Sequence, residues 1–91
     1  MTKTCINLIV NGQTVYTRKT TGKPYTHAIV AMFPDNTYRI SNCSAKGIES
    51  LQRVIEVSPA YKWVSGGIMR ATEHMILPII NNAVILDRAA A

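Results

Sequence analysis

Ile6-Asn7-Leu8-Ile9-Val10-Asn11-Gly12-Gln13-Thr14-Val15-Tyr16-Thr17-Arg18 is the stretch from which the fold is read. Two runs rich in apolar and β-branched residues flank Asn11-Gly12. An Asn-Gly pair accepts the positive φ angles of a type I′ turn, whose twist matches that of paired strands. The pattern predicts a β-hairpin over residues 4–19. Pairing Val10 with Gln13 sets Leu8 against Val15 and Ile6 against Thr17. Ile6, Leu8, Val10 and Val15 then form the core side. Asn7, Thr14, Tyr16 and Arg18 face the other way, together with Cys5 and Ile9.

Beyond this hairpin, residues 20–24 read as a polar loop and Tyr25 to Phe33 as a third strand. Pro34-Asp35-Asn36 is a turn by composition, and Thr37 to Ser41 returns as a fourth strand, which makes a four-stranded meander. Ser44 is a natural N-cap for a helix over residues 45–57. Ile48, Leu51, Val54 and Ile55 share one face of that helix, which belongs across the sheet, and Ser58-Pro59 ends it. Tyr61 to Val64 reads as a strand before a Ser65-Gly66-Gly67 turn. Apolar residues from Ile68 to Ile79 follow helical spacing despite Pro78, which favours a short helix or irregular segment before a terminal hairpin. The alternative takes Met75–Ile80 and Ala83–Asp87 as strands joined by Asn81-Asn82. The expected fold class is α+β: a largely antiparallel β-sheet, begun by the N-terminal meander, with one main helix packed on it. Residues 1–88 form a single small domain in this reading. Ala89, Ala90 and Ala91 after Arg88 resemble a cloning remnant and carry no functional weight.

The charge is unevenly placed. Ten Lys and Arg against five Asp and Glu give a net charge of +5. The first 34 residues hold no acid but carry Lys3, Arg18, Lys19 and Lys23, so four of those five charges lie there. Apolar residues make up 47% of the 91-residue chain, which argues against disorder, yet Phe33 and Trp63 are its only Phe and Trp. A modest aliphatic core of this kind makes a homodimer an expectation. No apolar run approaches a membrane span, so no membrane role is expected. The stretch Cys5 to Val10 is too short for a secretory leader and is broken by Asn7. Cys5 and Cys43 form no C-x-x-C pair and read as free thiols of a reducing compartment, which places the protein in the cytoplasm.

Tyr16, Arg18, Lys19, Lys23, Tyr25 and His27 are the candidate binding residues. Lys and Arg neutralise phosphates, and tyrosine rings stack on exposed bases, so nucleic acid suits this composition. An acidic protein surface suits it almost equally. The plainer explanation is that basic residues on edge strands deter aggregation. His27 and His74 have no spacing to Cys5, Cys43 or a carboxylate that marks a nucleophile–base pair, and no phosphate-loop or zinc motif occurs. No enzymatic activity, metal or cofactor is therefore expected. A third class is a protein-interaction or homo-oligomeric assembly module, for which the apolar tail Met75 to Leu86 offers surface.

The segments Asn11-Gly12-Gln13-Thr14-Val15-Tyr16-Thr17-Arg18-Lys19-Thr20 and Pro24-Tyr25-Thr26-His27-Ala28-Ile29-Val30 resemble a pattern in small uncharacterised phage and mobile-element proteins. The resemblance covers residues 11–30. It implies an accessory product of a mobile genome that binds nucleic acid or a host protein, and it brings no catalytic residues.

Overall fold

The computed structural model describes residues 3–21 and 25–87. Strands β1 (Lys3–Val10) and β2 (Gln13–Thr21) form the expected hairpin, with Asn11 and Gly12 both at positive φ. Its register departs from strict alternation at Val15. Ile9 pairs with Thr14, but Leu8 pairs with Tyr16 and Ile6 with Arg18, so Val15 is the extra residue of a bulge. The bulge turns Val15 out to 46% exposure and brings Tyr16 and Arg18 round to the core side. The opposite assignment of these three residues, expected from simple alternation, is corrected by this one inserted position.

Strands β3 (His27–Met32) and β4 (Tyr38–Ser44) form a second antiparallel pair around the Pro34–Asn36 turn. They do not continue the first sheet. β1 and β2 join β8 (Ala83–Leu86) in the order β2-β1-β8, while β3 and β4 join β7 (Glu73–Pro78) in the order β4-β3-β7. The four-strand meander is thus divided between two sheets. Among the described residues, all the strand pairings are antiparallel except β1 with β8, which is parallel.

Ile6, Leu8, Val10, Val84 and Leu86 of one sheet pack on Ala28, Val30 and Ile40 of the other. Tyr16, Tyr25, Tyr38, Cys43, Met75, Leu77 and Ile79 extend this cluster around its margins. β3 is covered on both sides, which is why Ala28-Ile29-Val30-Ala31 is continuously buried and continuously apolar. Its second face, with Ile29 and Ala31, lies toward α1 (Ile48–Val57) and the buried Leu51. The helix rests on the β4-β3-β7 sheet, so the molecule is α+β with a sheet–sheet–helix layering.

The helix begins three residues later than the sequence predicts. Ser44 remains in β4, paired with His27, and the chain needs Ala45-Lys46-Gly47 to swing from strand to helix. Gly47, at φ 95°, makes the turn that a side chain would resist. Ser44 still serves the junction: its Oγ accepts the Lys46 N–H at 3.0 Å and bonds Ser50 Oγ at 2.8 Å.

The helical spacing over Ile68 to Ile79 is misleading. Residues 67–70 and 73–78 are strands: the first pairs with residues 61–64 just before it, and the second with residues 27–32, far away in sequence. Asn81 and Asn82 adopt φ angles of 51° and 60°, and Ile80 and Ala83 exchange two backbone hydrogen bonds of 2.9 and 3.0 Å across them. This is a tight hairpin turn whose strands part at once. β7 belongs to one sheet and β8 to the other, so the turn carries the chain between layers. The apolar tail is consumed in doing so: Val84 and Leu86 are buried, and Met75, Leu77 and Ile79 pack against the core. Ile80 and Ile85 of the tail stay exposed, at 61% and 58%.

Candidate functional site

Arg18 sits where the two sheets meet at their edges. β2 borders one sheet and β4 the other, and an edge strand presents backbone carbonyls with no ladder partner. β4 carries its own bulge, since Ile29 pairs with Asn42 and Val30 with Ile40, leaving Ser41 unopposed. Arg18 Nη1 donates to the carbonyls of Ile40 and Ser41 at 3.3 and 3.2 Å. A guanidinium carries five N–H donors, so this clasp engages one end of the group and leaves Nε and Nη2 outside it.

Beside that clasp lies a cleft of about 280 Å³ lined by Tyr16, Arg18, Arg39, Asn42 and Tyr61, with Phe33 among the residues of its wall. Two arginines and two tyrosines therefore line one concave, polar surface. No carboxylate lines it. Arg39 and Tyr61 are distant in sequence from the basic hairpin, so composition does not group them with it. Strand alternation alone gives no signal that β4 and residues 58–61 flank β2.

The other residues expected to share this surface are dispersed. Lys19 is exposed and pairs with Cys5, so it points away from the core side that carries Arg18. Tyr25 is half-buried against the inter-sheet cluster, where its ring serves packing. His27 stands at the end of β3, opposite Ser44 and Pro78, with Nδ1 3.0 Å from Thr26 Oγ1. Lys23 lies outside the described residues. The predicted docking surface over residues 16–27 thus reduces, among the described residues, to Tyr16 and Arg18, and the fold adds Arg39 and Tyr61.

Adjoining the cleft is a two-stranded arm, β5 (Tyr61–Val64) and β6 (Gly67–Arg70), turned by Ser65-Gly66. Its side chains are disposed against intuition. Lys62 is only 9% exposed, whereas Trp63 is 74%, Tyr61 51% and Ile68 49% exposed. The inward lysine is well accommodated. Its Nζ donates to Asp35 Oδ2 at 2.6 Å and to Thr37 Oγ1 at 2.7 Å, and lies 5.0 Å from the centre of the Phe33 ring. The Lys62 ammonium, with the Thr37 hydroxyl, holds the Asp35 carboxyl down at about 2. A second tie comes from His74, whose Nε2 accepts the Ala60 N–H at 2.9 Å just before β5 begins. With Lys62 facing in, strand alternation turns Tyr61 and Trp63 out. Trp63 pairs with Ile68 and Tyr61 with Arg70, so these four share the outer face. The two rings meet edge to face at 6.1 Å.

No family model, curated protein or solved structure matches this chain. Its chemistry is therefore read from its own groups. Among the described residues, no cluster of three His, Cys, Asp or Glu converges as a metal site, and no helix is long and apolar enough to cross a membrane. Cys5 and Cys43 are free thiols. Burial pushes the Cys43 thiol up, with the Arg18 charge pulling more weakly the other way, so it is a poor nucleophile near neutrality. A larger depression of about 520 Å³ along the outer side of α1 is lined by both Glu49 and Arg53. Its opposed charges give it no preference for an anion.

Proposed function

We propose that this protein is a non-enzymatic binder of nucleic acid, holding backbone phosphate in the cleft where β2 meets β4. The observation that carries this reading is the convergence of Arg18 and Arg39 with Tyr16 and Tyr61 on one concave surface. Arginine presents planar, permanently charged donors suited to phosphate oxygens, and neighbouring rings offer faces for bases. Arg18 is held in place by its clasp on β4, so little of its freedom remains to be lost on binding. The exposed Lys19 strengthens the same positive field without reaching into the cleft. Such a role suits the accessory function implied by the resemblance over residues 11–30.

The competing reading is a protein-interaction module, favoured by the apolar face of the β5–β6 arm. Binding of labelled oligonucleotides at low and moderate salt separates the two. Phosphate binding is expected to weaken steeply with salt, because neutralising phosphates releases counterions. Arg39→Ala tests the cleft without undoing the Arg18 clasp, and is expected to weaken binding across sequences and to reduce the salt slope by about one. Absence of binding at low salt would remove the nucleic-acid reading and leave the protein partner.

A further inference from the structure

Building on the phosphate-binding cleft, we infer that the ligand is a single strand whose bases stack on the Tyr61–Trp63 face of the β5–β6 arm. Tyr61 belongs to both surfaces: it lines the cleft beside Arg18 and Arg39 and begins the exposed face that continues to Trp63. A strand with its backbone in the cleft therefore has its next bases delivered onto aromatic rings. Those rings are not placed to complete the core. The arm is fastened through its opposite face by Lys62, and Trp63 is left 74% exposed. Leaving a large ring in water forgoes the gain of burying it, and a partner with flat faces recovers that gain.

The charge of the arm points to the same partner. Residues 61–70 contain Lys62 and Arg70 and no carboxylate. Lys62 is occupied by Asp35, while Arg70 stands directly across from Tyr61 on the exposed face. A cation beside Tyr61, which itself lines the cleft of Arg18 and Arg39, complements a polyanion carrying aromatic bases. In a duplex the bases are paired and stacked within the helix, so their faces are not presented to such a platform; in a single strand they are.

Trp63 is the only tryptophan in the chain, which makes it a direct reporter. Its fluorescence should be titrated with single strands of about 12 nucleotides and with the matching duplexes. Trp63→Ala, Trp63→Phe and Arg39→Ala should be measured alongside by a labelled-strand assay. Because Trp63 is exposed, its replacement is expected to leave the fold intact, which circular dichroism checks. The expected result is quenching by single strands, tighter binding of single strands than duplex, and a roughly 5- to 150-fold loss in Trp63→Ala that Trp63→Phe largely restores. The salt slope should stay unchanged in Trp63→Ala but fall in Arg39→Ala. Equal binding of duplex and single strand, with Trp63→Ala unchanged and Arg39→Ala weakened, would overturn the stacking role and leave the cleft standing. No binding of either form, with a concentration-dependent mass that Trp63→Ala abolishes, would overturn both readings and make the arm a contact between copies of the chain.

Discussion

Single side chains here act by connecting elements that the backbone does not join. Arg18 closes the seam between two sheet edges, and Lys62 fastens the arm onto the β3–β4 turn. Arg18→Ala should therefore lower thermal stability as well as affinity, whereas the exposed Arg39→Ala should lower affinity alone; paired melting and binding curves distinguish them. The Lys62–Asp35 pair gives a pH signature with a definite sign. The Asp35 carboxyl is held at about 2, below its ordinary 3.8, so its stabilising contribution is present above about pH 4 and fades as pH falls toward 2. Acid unfolding followed by circular dichroism should show a shallower loss over that interval in Asp35→Asn than in the parent. The variant should already be less stable at neutral pH.

At the scale of elements, turns and bulges set what each strand presents. Gly12 stands at φ 84° with no atom near the position a Cβ would take, so Gly12→Ala meets backbone strain and no clash. That left-handed conformation disfavours an L side chain by about 1–2 kcal/mol, and chemical denaturation of Gly12→Ala should report a loss of that order. Gly66, at φ 94° in the arm's turn, is under the same restriction. The Val15 bulge has a larger consequence, because it decides that Tyr16 and Arg18 lie along the seam. Had β2 kept strict alternation, Val15 would fill the core side and Arg18 would stand free in solvent. Deleting Val15 removes the extra residue and leaves Tyr16 opposite Leu8 and Arg18 opposite Ile6, so the clasp on β4 and nucleic-acid binding are expected to persist in that variant, which paired melting and binding curves check.

For the whole molecule, stability rests on the faces where the two sheets meet. Leu8 and Val84 are fully buried there, on the parallel pair of strands β1 and β8. Leu8→Ala should cost roughly 2–5 kcal/mol, a large part of what a domain of this size commands. Calorimetry should show a correspondingly large drop in melting temperature. Because β8 closes the sheet opened by β1, the chain cannot complete its core until nearly all of it is present. The pairing of β1 with β8 and of β3 with β7 joins residues far apart in sequence, a topology that slows folding relative to a simple meander.

The elements legible in the sequence are those specified by local chemistry. Asn11-Gly12 marks its turn because few residue pairs accept its φ angles. The periodic apolar face of residues 48–55 marks the helix, and Tyr61–Val64 with Ser65-Gly66 marks the arm. The α+β class follows from them. Residues 68–80 leave helix and strand both open because short apolar runs fit helical and extended spacing, and partners in β3 and β5 settle the choice for strand. The site shows the same division. Tyr16 and Arg18 stand out by composition, but their neighbours Arg39 and Tyr61 reach them only through the meeting of β2, β4 and the arm. Local sequence determined the turns, the helix and the concentration of positive charge. Tertiary structure decided which side chains face one another, because one-residue bulges shift what alternation alone dictates and an ion pair across the fold draws a lysine inward in place of its aromatic neighbours.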